Sequence, residues 1–135
     1  MSRVLIAEDD PGSRELLAEV LNALGYDVVS TADGQEALEK LEEACPDLIL
    51  LDLQMPRMDG LATIQRIREN PRFSDLPVFA VTAYAMKGDR ERALEKEFNG
   101  YFSKPIDPLS LQSNIAHAIA MHRTSRAKEA GTGCA

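Results

Sequence analysis

Val4-Leu5-Ile6-Ala7-Glu8-Asp9-Asp10-Pro11 is the stretch that sets the architecture of this chain. Four apolar residues, two of them branched at Cβ, stop abruptly at three acids, and a helical period follows. So short an apolar run, bounded this way, reads as a buried strand. Asp10-Pro11 then reads as a capping residue followed by proline at the first helical position. Leu16, Leu17, Val20, Leu21 and Leu24 continue on one helical face until Gly25 marks the end.

The same alternation repeats five times. Candidate strands are Val4–Ala7, Asp27–Ser30, Leu48–Leu51, Val78–Val81 and Tyr101–Ser103. Middle helices are expected over Gln35–Glu43, Leu61–Asn70 and Tyr84–Phe98. The last helix is announced by Asp107-Pro108 and carries Leu111, Ile115 and Ile119 on one face. The helix at Tyr84–Phe98 has little to bury, because between Met86 and Phe98 its only large apolar residue is Leu94. It is therefore expected to be locally weak. Five β–α units with continuous apolar strands imply an α/β fold, a parallel sheet covered by helices on both faces. Such sheets carry their sites at the carboxyl ends of the strands.

The chain has 135 residues, 44% of them apolar and 27% charged, enough for one domain. We assign residues 1–123 to it and expect a disordered tail over 124–135, where apolar periodicity fades. A net charge of −7 leaves no basic stripe for a phosphate backbone, which argues against direct nucleic-acid binding. The apolar run at the N-terminus is too short for a signal-peptide core or a membrane span, so a cytoplasmic protein without membrane insertion is expected. Cys45 and Cys134 show no metal-ligand spacing and are expected to be free thiols. His117 and His122, on the last helix, read as solvated positions.

Four strands deliver polar groups to one edge: Glu8-Asp9-Asp10 after the first, Asp52 at the third, Thr82 at the fourth and Lys104-Pro105 at the fifth. Each alone has an ordinary explanation as a cap, a turn former or a solvated charge. Together they pose an electrostatic problem. Glu8, Asp9 and Asp52 repel one another and are pushed toward protonation unless a cation binds. With oxygen donors only, the ligand set points to Mg2+ or Mn2+. A carboxylate beside such an ion can attack phosphorus, and the transferred group would find Lys104, Thr82 and a backbone N–H for its oxygens.

These residues resemble the CheY-like receiver domains of two-component response regulators. The likeness runs through Val4–Asp10, Asp47-Leu48-Ile49-Leu50-Leu51-Asp52-Leu53-Gln54-Met55-Pro56, Met58-Asp59-Gly60, Val81-Thr82-Ala83 and Gly100-Tyr101-Phe102-Ser103-Lys104-Pro105. The separations, 30 positions from Asp52 to Thr82 and 22 from Thr82 to Lys104, also fit. The resemblance implies a doubly wound, flavodoxin-like sheet of five strands in the order 2-1-3-4-5. It implies Asp52 as phosphoacceptor, aided by Thr82 and Lys104. It implies Asp9 and Asp52 as direct metal ligands, Glu8 acting through water, and the Gln54 carbonyl as a further ligand. Glu8 stands where a second Asp is commoner, and Asp10 aligns with a variable position. Thr82 and Tyr101 resemble the switch pair, Gln54 and Tyr84 occupy lifetime-modulating positions, and the Lys104–Pro105 peptide is cis in the family. The stretch Ala83–Asp89 is most similar to single-domain regulators and to receivers of hybrid histidine kinases.

By this likeness the chain is a phosphoacceptor in a phosphorelay. Its donor would be a histidine kinase or histidine phosphotransfer protein, with a downstream protein as target. It would not be an enzyme beyond its own phosphorylation and dephosphorylation. The alternative is a receiver-fold interaction module independent of phosphorylation. An aspartate-nucleophile phosphatase of the haloacid-dehalogenase type needs an acid/base Asp where Gln54 stands. A flavodoxin-like mononucleotide binder needs hydroxyls and glycines where Glu8-Asp9-Asp10 would repel a phosphate.

Overall fold

The computed structural model describes residues 2–53, 60–82, 98–103 and 106–128. Gln54, Met55, Met58, Tyr84, Met86, Lys104, Pro105 and the helix expected before Phe98 lie outside the described residues. In chain order the described elements are β1 (Arg3–Ala7), α1 (Pro11–Ala23), β2 (Asp27–Thr31), α2 (Gly34–Ala44) and β3 (Leu48–Asp52). They continue with α3 (Gly60–Glu69), β4 (Val78–Thr82), β5 (Gly100–Ser103) and a last helix, α4 (Pro108–Lys128). All strand pairs are parallel and their order is β2-β1-β3-β4-β5. The expected strands are recovered to within one residue at each end.

Alternation along the central strands sorts the core onto two faces. Leu5, Ala7, Ile49, Leu51, Val78 and Ala80 pack with Ala37 and Leu41 of α2 and Ile64 and Ile67 of α3. Val4, Ile6, Leu48, Leu50, Phe79 and Val81 pack with Leu21 of α1 and Leu111, Ile115 and Ile119 of α4. β3 and β4 are buried along their whole length, whereas the edge strands β2 and β5 are half-buried. A strand buried on both faces needs the unbroken apolar run that Leu48–Leu51 supplies.

Cap chemistry fixes the helix ends. The Asp10 carboxylate accepts from the Ser13 N–H at 2.9 Å, so Asp10 serves the helix and not the acidic cluster. Asp33 does the same for α2, accepting from the Glu36 N–H at 2.8 Å, and Asp107 accepts from the Ser110 N–H at 3.2 Å. α1 ends at its cap Leu24, beyond which the Gly25 N–H donates to the Asn22 carbonyl and the Gly25 φ of +95° turns the chain so that the Tyr26 N–H reaches that of Leu21.

Four expectations change. Leu16 is 63% exposed, because the inward stripe of α1 centres on Leu17 and Leu21 and leaves Leu16 at its rim. His122 is buried, since its spacing of three from Ile119 continues the inward stripe of α4. Cys45 is disulfide-bonded and not a free thiol. It sits in the left-handed turn that ends α2, at φ 45°, and sulfur pairing depends on which segments meet in space, not on local spacing. Finally, α4 continues to Lys128, past the point where apolar periodicity fades at Thr124. A helix once formed adds a hydrogen bond for each further residue. Among the described residues no helix is long and apolar enough to cross a membrane.

Candidate metal centre

β1 and β3 are adjacent, with Ala7 paired to Leu51, so the residues that follow them emerge side by side. Glu8, Asp9 and Asp52 each offer a carboxylate oxygen within 4.8 Å of the others. Glu8 and Asp52 are buried and Asp9 is exposed. The cluster therefore has two walls inside the protein and one open to solvent. Asp52 pairs with Val81 in the β3–β4 register, which carries the buried Thr82 to the same edge. Thr82 in turn pairs with Ser103, so β5 also ends there.

The backbone under the cluster is closely held. The Glu8 N–H donates to the Thr31 carbonyl at 3.1 Å, and the Leu53 N–H donates to that of Val81 at 3.1 Å. α3 begins directly against the end of β3. A Cβ on Gly60 would stand 2.7 Å from the Asp52 carbonyl oxygen and 2.7 Å from Leu53 Cα. Only glycine allows that approach. Above β1, Arg14 Nη1 donates to the Glu8 carbonyl at 2.9 Å.

Three carboxylates this close, two of them shielded from water, repel strongly unless a cation is shared among them. The donors are hard oxygens, and an open side is left for water or a ligand. Those features suit a magnesium-like ion. The residues present thus fit the metal that the sequence implies.

The response regulator receiver domain pattern matches residues 4–116. The chain belongs to this family. DivK, the polar-differentiation response regulator of Brucella anthropi, is 41% identical to the receiver domain over 103 residues, covering 76% of this chain and 84% of that protein. An uncharacterized 14.6 kDa protein of Leptolyngbya boryana is 44% identical over 108 residues, covering 80% and 82%. Among solved structures, the receiver domain of a Pseudomonas aeruginosa sensor histidine kinase is 34% identical with a TM-score of 0.82, covering 88% of this chain and 98% of that one. That structure has a magnesium ion coordinated in its active-site cleft. The chemotaxis protein CheY4 of Vibrio cholerae is 27% identical with a TM-score of 0.81, covering 87% and 98%.

Of the expected site residues, the receiver domain brings Glu8, Asp9 and Asp52 into one cluster and Thr82 to the same sheet edge. Tyr101 is half-buried in β5 and packs on the α2–α3 side of the sheet. Gln54, Tyr84, Lys104 and Pro105 lie outside the described residues. Sequence reasoning passed over two contributors, Gly60 and Arg14. Gly60 was visible only as part of the Met58-Asp59-Gly60 motif, and nothing local marks Arg14 as reaching back to the strand.

Proposed function

We propose that the receiver domain accepts a phosphoryl group on Asp52 from a phosphohistidine donor. The observation that carries this reading is the convergence of Glu8, Asp9 and Asp52 within 4.8 Å at the edge where Thr82 also ends. An Asp52 carboxylate oxygen attacks phosphorus, the P–N bond of the donor breaks, and the imidazole leaves with its electron pair. Asp9 and Asp52, with Glu8 through water and the Gln54 carbonyl, would hold Mg2+ or Mn2+, which offsets negative charge on the phosphoryl oxygens when bound. Lys104 and Thr82 would each meet one of the remaining oxygens. The chain then acts on no substrate beyond its own phosphorylation and dephosphorylation.

The response would be delivered by protein contact. Val78, Ala80 and Thr82 alternate onto one face of β4, and Tyr101 pairs with Ala80 on the neighbouring strand. Thr82 and Tyr101 are thus diagonal neighbours on one face, with only a methyl group opposite the ring. That supports their reading as a switch pair, in which the hydroxyl moves to the phosphoryl oxygen and the ring turns inward. The surface altered would include the Tyr84–Phe98 segment, β5 and α4. A histidine kinase or phosphotransfer protein would be the donor and another protein the target, in the cytoplasm.

Incubation with a small acyl phosphate and Mg2+ should phosphorylate the wild type, in an EDTA-sensitive reaction, and leave Asp52→Asn unlabelled. Equal labelling of Asp52→Asn would place the acceptor elsewhere.

A further inference from the structure

Arg14 stands where helix electrostatics disfavours a cation. Its N–H makes the first intrahelical bond of α1, to the Asp10 carbonyl at 2.9 Å, and the N–H groups of that turn carry partial positive charge. The Asp10 carboxylate at the N-cap and the cluster of Glu8, Asp9 and Asp52 beside it offset that charge and account for a cation here. The side chain does not extend into water. It is half-buried and folds back over the turn to the end of β1, where Nη1 donates to the Glu8 carbonyl at 2.9 Å. A long, flexible side chain is therefore ordered onto one backbone oxygen.

That oxygen has a particular place. The Glu8 carbonyl belongs to the peptide plane that joins Glu8 to Asp9, and its orientation sets the directions in which both side chains leave the backbone. The other end of Glu8 is tied to β2 through its N–H and Thr31. Arg14 completes the pinning. The Asp10 N–H also approaches the Glu8 carboxylate, at 3.4 Å, a long contact that adds little to this hold.

We infer that Arg14 is a positioning residue for the acidic site, holding the Glu8–Asp9 peptide so that both carboxylates face Asp52. This inference rests on the metal-binding reading of that site. It differs in sign from simple electrostatics. Removing a cation beside an acidic cluster should tighten binding of a divalent ion, whereas releasing the peptide plane should weaken it.

Calorimetric titration with Mn2+ separates the two. Arg14→Ala should bind about tenfold more weakly than wild type, the lower end of what lost support of a metal ligand costs. Arg14→Lys, which keeps a charge and a donor, should recover part of the loss. Melting temperatures are measured in EDTA, and affinities are read well below both transitions, so that a small change in fold stability does not enter. Unchanged or tighter binding by Arg14→Ala, with normal binding by wild type, would overturn the positioning role alone. Absence of Mn2+ binding by the wild type would overturn the metal reading and this inference with it.

Discussion

Gly60→Ala tests how tightly α3 is set against β3, the strand that ends in Asp52. The added methyl would sit 2.7 Å from the Asp52 carbonyl oxygen, 2.7 Å from Leu53 Cα and 3.0 Å from Leu53 Cδ2. The first two obstacles are backbone and cannot rotate away. Ordinary contact begins near 3.4 Å, so the start of α3 and the end of β3 must separate by about 0.7 Å. Separation also stretches the Gly60 N–H bond to the Leu53 carbonyl, already 3.1 Å long. Overpacking of this kind costs about 1–3 kcal/mol. The helix-propensity gain of alanine, about 1 kcal/mol in a helix interior, counts for little at the first helical residue. A net loss of about 2 kcal/mol, divided by a urea slope of about 2 kcal/mol/M, lowers the unfolding midpoint by about 1 M. Urea titration followed by circular dichroism reads this directly. Gly12→Ala is the control, because its nearest neighbour would be an Asp10 oxygen at 3.6 Å. It should be neutral or stabilising by about 0.5 kcal/mol. A Gly60→Ala midpoint within about 0.2 M of wild type, inside the error of such measurements, would refute the claim that α3 is seated on the Asp52 backbone.

In EDTA, Asp52→Asn should be more stable than wild type by about 1 kcal/mol, since it removes one of three mutually repelling carboxylates. Thermal melts with and without Mg2+ check this, and the ion should raise the wild-type transition more than that of the variant. Arg68→Ala should lose about 2 kcal/mol in urea unfolding. Its guanidinium donates to the Leu76 carbonyl at 2.6 Å and to Asn99 Oδ1 at 2.9 Å, tying the end of α3 to the entry of β5. Tyr26 packs against the α1–α4 side of the core, and that burial raises its hydroxyl pKa above the ordinary 10.0. The folded state therefore holds this proton more tightly than the unfolded chain. The stability it contributes is complete below pH 10 and falls as pH rises through the elevated value. Tyr26→Phe should flatten that alkaline loss in stability measured from pH 9 to 11.

Much of the fold was legible because its signals are local. Val4–Ala7 and Leu48–Leu51 declare buried strands by their unbroken apolar character, Asp10-Pro11 and Asp107-Pro108 declare helix starts, and Gly25 declares an end. Each of these acts within a few residues of itself. Leu111, Ile115 and Ile119 were likewise legible as one stripe, although the same periodicity should have carried His122 with them. Within the site, Glu8, Asp9, Asp52 and Thr82 were found because they stand at strand ends. A parallel sheet brings the carboxyl ends of its strands to one edge whatever the details of packing.

What the sequence determined by itself, then, was the alternation of elements, their caps and the chemical character of that edge. Register and packing decided the rest. Whether three carboxylates lie within 4.8 Å depends on the pairing of Ala7 with Leu51 and of Asp52 with Val81, which the core side chains on both faces set together. The same holds for the seat of Gly60 under Asp52, the reach of Arg14 to Glu8, the exposure of Leu16 and the bonded state of Cys45. These are meetings between segments distant in sequence or across a turn. No local propensity encodes them, because their free energy exists only once the two layers of helices close on the sheet.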